Sequence, residues 1–235
     1  MILFYYVQTI KINERTRQMP MSNKTNKKLE TTYVDIAIPE SVENLQLPNA
    51  SLITYYKNLE KRILWLDSEV DDYFLEYGKY ILQWNQEDIG KPQSERTPIR
   101  LLFFSPGGSL DINNAMIDII KKSKTKVIGV NMGIAQSAGA FIYLACHERL
   151  TMPKAGFLLH RGSGNFGGDY DDIICQVMEY QRQIEELEKY VLDNTNIDEE
   201  TFNENFGTEW FISAKEAVEY GIAHKIIDDI DEIYS

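Results

Sequence analysis

The sequence predicts an α/β fold in which parallel strands alternate with helices. Two segments, 99–121 and 127–145, each combine an apolar strand, a glycine-rich turn and a helix. The first of these strands, 99–104, is apolar apart from Arg100, which is typical of a parallel strand that is covered on both faces. Because strand and helix alternate twice in succession, βαβ units are the expected building blocks.

The remaining elements follow from apolar periodicity along the chain. Residues 1–45 are expected to be peripheral, as a possible leader, because the polar and basic stretch 22–28 shows no periodicity. A resemblance described below implies an axial loop as the alternative. Residues 46–235 are expected to form the domain. The predicted elements are a helix over 53–61, a strand over 62–66, helices over 70–85 and 110–121, strands over 150–153 and 157–160, a long helix over 170–192, a short helix that begins with the capping box 213–216, and a strand over 222–227.

Composition excludes several classes of function. A chain of 235 residues can bury a sizeable core, and 43% hydrophobic residues indicate a globular protein. The net charge of −12 argues against nucleic acid as the main partner. With two cysteines and three histidines, the sequence predicts neither a disulfide framework nor a metal site.

The uncharged run 127–146 is long enough to span a membrane. It contains Asn131, Gln136, Ser137 and three glycines, however, so a buried strand, turn and helix are expected instead. The first residues of the chain lack a basic region and a cleavage site of small residues, which argues against a signal peptide. We therefore expect a cytoplasmic protein with no membrane partner.

Ser137 is the first candidate for chemistry, because it lies where strand 127–131 passes through a glycine turn at 132–133 into a helix. The first N–H groups of that helix could stabilise a developing oxyanion, so a nucleophile would be well placed here. The alternative is that Ser137 only caps the helix, which is the commoner role of a serine at this position.

A serine nucleophile also needs a base and N–H donors. His160 ends a predicted strand beside the glycine-rich stretch 162–168 and is the candidate base. The backbone N–H groups of Gly108 and Ala138 are candidate oxyanion donors, since two successive glycines at 107–108 allow the backbone to approach a ligand closely. Each of these features, taken separately, is also common in purely structural turns and strand ends.

Four motifs together resemble the proteolytic subunit of the Clp protease family, in the same order and at similar separations. The resemblance covers about seven tenths of the chain, from 62 to 227. The motifs are Ser-Pro-Gly-Gly-Ser at 105–109, Met-Gly-Ile-Ala-Gln-Ser-Ala-Gly-Ala-Phe at 132–141, Leu-His-Arg-Gly at 159–162, and Phe-Ile-Ser-Ala-Lys-Glu-Ala-Val-Glu-Tyr-Gly at 211–221.

The resemblance implies a role for each matching residue. Ser137 falls on the nucleophile, His160 on the general base, and Gly108 and Ala138 on the oxyanion donors. The third triad member departs from the pattern, because Glu209 stands where the family usually has aspartate. A glutamate can orient a histidine in the same way, and the alternative is a surface glutamate beside a capped helix.

The resemblance also implies a binding segment for the substrate. The glycine-rich stretch 162–168 would form a strand beside a bound peptide, with Gly162, Gly164 and Phe166 as substrate-binding residues.

The architecture that the resemblance implies is a crotonase-type spiral of ββα units. Helix 170–192 would be the handle that pairs two heptameric rings into a homo-oligomeric tetradecamer. Such proteins cleave unfolded polypeptide that a hexameric AAA+ unfoldase delivers. The chain has no P-loop, and no cofactor is expected, since any ATP would be used by the partner. Docking of an unfoldase is expected to be lost or altered, because the family's docking positions hold Arg100, Leu102, Lys122 and Leu150.

These observations predict a self-compartmentalising serine endopeptidase. One alternative is a specialised or phage-type protease on the same fold that works without an unfoldase. A second is a non-catalytic subunit of a mixed ring, although the chain keeps both Ser137 and His160. A third is a crotonase-type acyl-CoA enzyme, which would not need that pair.

Overall fold

The computed structural model describes residues 50–234 as one seven-stranded sheet with helices packed against it. The predicted peripheral segment 1–45 lies outside the described residues. The helices are α1 (Ala50–Glu60), α2 (Phe74–Glu87), α3 (Leu110–Lys122), α4 (Ala138–Leu144), α5 (Tyr170–Asn194), α6 (Glu199–Asn205) and α7 (Ala214–Glu219), with 3₁₀ turns at Gln93–Glu95 and Ile230–Ile233. The strands are β1 (Ile63–Leu66), β2 (Ile99–Ser105), β3 (Val127–Gln136), β4 (Glu148–Thr151), β5 (Gly156–Leu159), β6 (Trp210–Ser213) and β7 (Lys225–Ile226).

The sheet is parallel along its main path, in the order β1-β2-β3-β4-β7. A branch leaves this path at β3, where β5 pairs in parallel with the end of β3 and antiparallel with β6. The predicted α/β class with parallel strands is therefore confirmed.

Strand β3 is longer than predicted and changes its neighbour along its length. Asn131 pairs with Thr151 of β4, whereas Gln136 pairs with Leu158 of β5. The predicted glycine turn at 132–133 is wrong, because the chain continues in the same direction through an irregularity in the ladder between β2 and β3.

Packing explains the glycine within β3. A Cβ atom at Gly133 would lie 2.6 Å from the ring of Phe104, so a larger residue would displace that ring. The glycine that suggested a turn thus leaves room for the exposed ring of Phe104 to lie across the strand.

The sequence did not indicate α6 or β6. Helix α6 is only seven residues long and is capped by Asp198, which accepts a hydrogen bond from Thr201 N at 2.9 Å. Strand β6 has four residues, which is too short for a clear alternating pattern. The capping box that follows β6 is confirmed, because Ser213 and Glu216 exchange hydrogen bonds between side chain and backbone.

Two hydrophobic clusters cover the two faces of the sheet. Leu101 and Phe103 of β2 point into the larger cluster, which the helices α2, α3 and α4 complete. Leu102 points to the opposite face, as expected for alternate residues of a strand. The smaller cluster consists of Ile63, Leu102, Ile128, Val130, Leu150, Ile227 and Ile233.

A buried ion-pair cluster joins the amino ends of the first three strands. Asp88 is fully buried and accepts two hydrogen bonds from Arg62, at 2.5 and 3.1 Å. It also accepts one from Lys91 at 2.8 Å and one from Thr125 at 2.9 Å. The hydrogen bond from Arg62 holds the pKa of the Asp88 carboxyl well below its usual range. Arg62 precedes β1 and Thr125 precedes β3, so the cluster ties these elements to the end of α2.

Helix α5 is the longest helix of the described part of the chain and ends two residues later than predicted. Only Ile184, Leu187 and Val191 of this helix are buried, so its first half lies outside the core in a single chain. Among the described residues, no helix is both long enough and apolar enough to cross a bilayer.

Asp88→Asn should destabilise the fold by about 3 kcal/mol at neutral pH, because Arg62 would keep its buried charge without a counter-ion. The pKa of the Asp88 carboxyl is lowered in the folded state. Its contribution to the free energy of unfolding is therefore complete above the ordinary carboxyl pKa and is lost as the pH falls below that value. Denaturant unfolding followed by tryptophan fluorescence at pH 7 and pH 3 measures both effects. The control is Glu76→Gln in the exposed pair with Lys79, which should change stability by less than about 0.5 kcal/mol. An equal loss in both variants would contradict the prediction.

Candidate active site

Ser137 lies at the turn between β3 and α4 in a strained backbone conformation. Its φ of 51° and ψ of −125° are unusual for a residue with a Cβ atom. Its N–H donates to the carbonyl of Leu158 at 2.8 Å, which holds the residue against β5. A sharp turn of this kind between strand and helix exposes a serine hydroxyl at the edge of a sheet.

The Ser137 side chain does not cap the helix that follows it. The residue occupies the N-cap position, and its carbonyl accepts from the N–H groups of Ala140 and Phe141 at 2.9 and 3.2 Å. Its hydroxyl makes no capping hydrogen bond and instead lies 2.7 Å from Nε2 of His160. In the tautomer that carries its proton on Nδ1, His160 accepts this hydrogen bond, as a general base must.

Sheet register explains why Ser137 and His160 meet. The adjacent strands β3 and β5 run in parallel, with Gln136 opposite Leu158. Both strands end at the same edge of the sheet, and Ser137 and His160 follow within two residues of that pair. The contact over 23 positions of sequence therefore depends on the pairing of two strands.

The loop after β2 brings two glycines against the serine. A Cβ atom at Gly107 would lie 2.6 Å from Cβ of Ser137, and one at Gly108 would lie 2.4 Å from the carbonyl oxygen of Val70. The φ angles of these glycines are +99° and +151°. Both positions thus require glycine, for close approach to Ser137 in one case and to Val70 in the other.

Two N–H groups beside Ser137 are available to a ligand. Within the described residues, the N–H groups of Gly108 and Ala138 donate no hydrogen bond, and both residues line the same cavity as Ser137. Unused N–H donors near a nucleophile are what a developing oxyanion requires.

Ser105 supports this loop, and the sequence did not single it out. Its buried hydroxyl donates to the carbonyl of Ser68 at 2.6 Å and accepts from the N–H of Gly107 at 3.3 Å. A serine just before a Pro-Gly-Gly turn is a signal that could have suggested this role.

Glu209 reaches the same cavity from β6. Because Leu159 pairs with Trp210 in the antiparallel ladder, the next residues outward, His160 and Glu209, are neighbours across it. Glu209 and His160 both line the cavity. No hydrogen bond joins their side chains in the described part of the chain, and Glu209 is exposed in the single chain.

The cavity around these residues has a volume of about 510 Å³. Its wall beyond Ser137 is apolar and consists of Leu110, Phe141, Leu158, Ile184 and Leu187. A larger cavity of about 700 Å³ between α1 and β1 contains two aspartates but no histidine or cysteine, so the smaller one is the candidate site.

The predicted substrate-binding residues are only partly brought together. Gly162 lines the cavity of Ser137, and Phe166 lines an adjoining cavity. Gly164 lines neither, and a Cβ atom there would lie 2.7 Å from the Phe166 ring.

Within the described residues, the glycine-rich stretch pairs with no strand, and its pairing with a bound peptide stays a prediction. Its backbone is instead bonded to side chains of α5. The Tyr180 hydroxyl donates to the carbonyl of Arg161 at 3.0 Å, and the Gln176 amide bonds both the N–H and the carbonyl of Gly167.

The other two histidines have structural roles. Nδ1 of His147 accepts from Val127 N at 2.9 Å, and Nδ1 of His224 accepts from Arg149 N at 3.2 Å. Burial lowers the pKa of both imidazoles, which keeps them neutral acceptors. No group of three or more histidine, cysteine or acidic side chains in residues 50–234 could hold a metal ion.

A serine hydroxyl bonded to an imidazole, beside unused N–H donors in a cavity with one apolar wall, is the arrangement that serine hydrolases use. The fold and the site thus define a serine hydrolase on an α/β scaffold.

Comparison with known proteins identifies the family. The sequence profile described as Clp protease matches residues 49–230. The ATP-dependent Clp protease proteolytic subunit 3 of Rhizobium meliloti is 34% identical over 137 residues, which cover 57% of this chain and 70% of the relative. The proteolytic subunit 2 of Pseudomonas aeruginosa is 33% identical over 138 residues, 58% of this chain and 69% of the relative.

A solved structure shows the same fold. It is a mutant of ClpP1 from Listeria monocytogenes, with a TM-score of 0.64 and 24% identity, and the match covers 77% of this chain and 99% of that one. The chain belongs to the Clp protease family and is a serine-type peptidase with the fold and handle helix of that family.

Gly107→Ala should reduce peptidase activity by about a hundredfold, because the new methyl group would push Ser137 away from His160. Peptide hydrolysis at equal protein concentration measures the loss. Gly90→Ala is the matched control, since Gly90 also has a positive φ, +84°, but no atom lies within 4 Å of the added Cβ. It should cost about 1 kcal/mol of stability and leave the turnover rate unchanged. Full activity in Gly107→Ala would overturn the close-packing argument.

Proposed function

We propose that the chain is the proteolytic subunit of a self-compartmentalising serine endopeptidase, with Ser137 as nucleophile and His160 as general base. The observation that carries this proposal is the 2.7 Å contact between Ser137 Oγ and His160 Nε2, made by a serine whose strained turn exposes its hydroxyl. Capping does not account for that geometry, because the hydroxyl makes no bond to the helix.

The mechanism follows from these contacts. Ser137 Oγ attacks the peptide carbonyl carbon while Nε2 of His160 takes the hydroxyl proton. The resulting oxyanion accepts hydrogen bonds from the N–H groups of Gly108 and Ala138. The carbon–nitrogen bond then breaks, His160 returns the proton to the leaving amine, and an ester forms on Ser137. Water, deprotonated by His160, hydrolyses that ester and regenerates the serine.

Glu209 is the group that we assign to orienting His160. The ladder between β5 and β6 supports this role, since it makes the two residues neighbours at the cavity. A carboxylate there would hold Nδ1 protonated and stabilise the imidazolium that forms during attack. The two side chains are not bonded in the single chain, and catalytic contacts often tighten only when substrate is bound.

Assembly into rings is supported by helix α5. Its exposed half carries an apolar stripe that has no cover within the described residues, namely Tyr170, Ile174, Val177 and Met178, with exposed fractions of 77%, 41%, 39% and 66%. These residues are spaced four, three and one apart and share one face of the helix. Such a face is stabilised by burial against another subunit. We propose homo-oligomeric heptameric rings, paired into a tetradecamer that encloses unfolded polypeptide.

Most of the positions at which the family would dock an unfoldase are buried here under another part of the same chain. Leu102 and Leu150 are buried in the smaller cluster together with Ile233 from the carboxyl end of the chain. Arg100 is also buried and donates to the carbonyls of Ile233 and Tyr234, at 2.6 and 3.0 Å. The turn Ile230–Ile233 thus lies against these positions, which supports a protease that works without an unfoldase or with an altered one.

We infer that the peptidase needs no cofactor of its own, since its proposed chemistry uses only side chains and backbone N–H groups. Any ATP would be consumed by a partner. A cytoplasmic location stays a prediction from the sequence.

A fluorophosphonate probe should label the wild-type protein on Ser137, and Ser137→Ala should abolish both labelling and peptide hydrolysis. Ser105→Ala is the control, because that hydroxyl is buried and bonded to Ser68. It should keep the label even where the loop loses some stability. Intact-mass spectrometry detects the adduct, and labelling that survives in Ser137→Ala would remove the nucleophile assignment.

Glu209→Gln should lower kcat by at least about tenfold with a smaller change in KM, because the neutral amide cannot stabilise the imidazolium. Steady-state kinetics on a fluorogenic peptide measures this, with Glu204→Gln on α6 as the control for the loss of one exposed negative charge. Equal kinetics in both variants would leave His160 without its proposed partner.

The rate of peptide hydrolysis should not respond to an added AAA+ ATPase if the protease works alone.

A further inference from the structure

Tyr180 of α5 stands between three cavities beside the catalytic serine. It lines the cavity of Ser137, the cavity of about 490 Å³ that holds Phe166, and a third of about 380 Å³ next to Glu188. In the described part of the chain, it is the residue that all three have in common. Its side chain therefore separates these cavities. The distance that a ligand can extend beyond the cavity of Ser137 depends on this side chain.

The Tyr180 ring is held in place at both ends. Its hydroxyl donates to the carbonyl of Arg161, the residue after His160, at 3.0 Å. Its ring meets that of Phe166 edge to face, with centroids 5.5 Å apart. Burial raises the pKa of the phenol, so the hydroxyl stays protonated and remains a donor at neutral pH.

Apolar and polar side chains line both sides of this wall. Phe141, Ile184 and Leu187 lie behind Ser137 on the catalytic side. Phe166, Gln176 and Gln183 line the far side. An aliphatic substrate side chain can fill the near side, but a longer one meets the ring of Tyr180 before it reaches the second cavity.

We propose that Tyr180 is a specificity-determining residue that sets the upper length of the side chain accepted beside the scissile carbonyl. This inference rests on the proposed function, since it presumes that Ser137 attacks a peptide bond. Removing the ring would join the cavities of about 510 and 490 Å³ and admit longer side chains.

The test uses fluorogenic peptides that differ only in the residue whose carbonyl is attacked, with unbranched alkyl side chains of increasing length. For the wild type, kcat/KM should rise to an intermediate length and then fall about tenfold for each further step that the cavity cannot hold. Tyr180→Ala should move the optimum to a longer side chain, and Tyr180→Phe, which keeps the ring, should not move it. Ratios between substrates within one variant do not depend on the fraction of active enzyme.

Lys189→Ala is the matched control on the same helix, since Lys189 is exposed, lies outside the apolar stripe and lines none of the three cavities. It should leave the length preference unchanged. The inference is overturned if the wild type shows no upper length, or if Tyr180→Ala labels on Ser137 with a fluorophosphonate but keeps the wild-type preference. Absence of labelling in the wild type would instead contradict the proposed function itself.

Discussion

Two hydrogen bonds from the buried side chain of Asn131 hold the point where the sheet branches. The amide nitrogen donates to the carbonyl of Gly156 at 2.9 Å, and the amide oxygen accepts from the N–H of Gly133 at 3.0 Å. Between these positions β3 leaves β4 and joins β5, and Asn131 supplies partners for the partly buried backbone groups of Gly133 and Gly156. The last part of β3 can thus pair with β5, and this pairing brings Ser137 to His160.

The two ends of the sheet have different physical characters. At the amino ends of the strands, the buried carboxylate of Asp88 joins Arg62 and Thr125 in a fully bonded cluster. At the carboxyl ends, Ser137 adopts a positive φ, and the two N–H groups of the site remain unused. Strain of this kind persists only where surrounding contacts impose it. The hydrogen bond to Leu158 and the close contact with Gly107 impose it here.

Helix α5 serves the site and the proposed assembly through different parts of its length. Residues 170–178 carry the exposed apolar stripe, Tyr180 lines the cavity of Ser137, and Ile184, Leu187 and Val191 anchor the helix in the core. A subunit that docks against the stripe would therefore restrain the segment that holds Tyr180. Docking of a subunit at the stripe would in this way affect the shape of the cavity around Ser137.

The sequence by itself determined the α/β class, the long helix, the capping box at Ser213 and the candidates Ser137 and His160, because periodicity and local motifs act over short stretches. It could not tell whether the Ser137 hydroxyl caps the helix or faces His160, nor a turn from a bulge at Gly133. Those choices depend on Phe104 and on the pairing of β3 with β5, which are contacts between distant parts of the chain. Ser105 has a local signal, its place just before a Pro-Gly-Gly turn, but its hydrogen bond to Ser68 has none. Only the tertiary structure decided that bond and the place of Tyr180, since a loop anchor and a cavity wall exist only once separate elements have packed together.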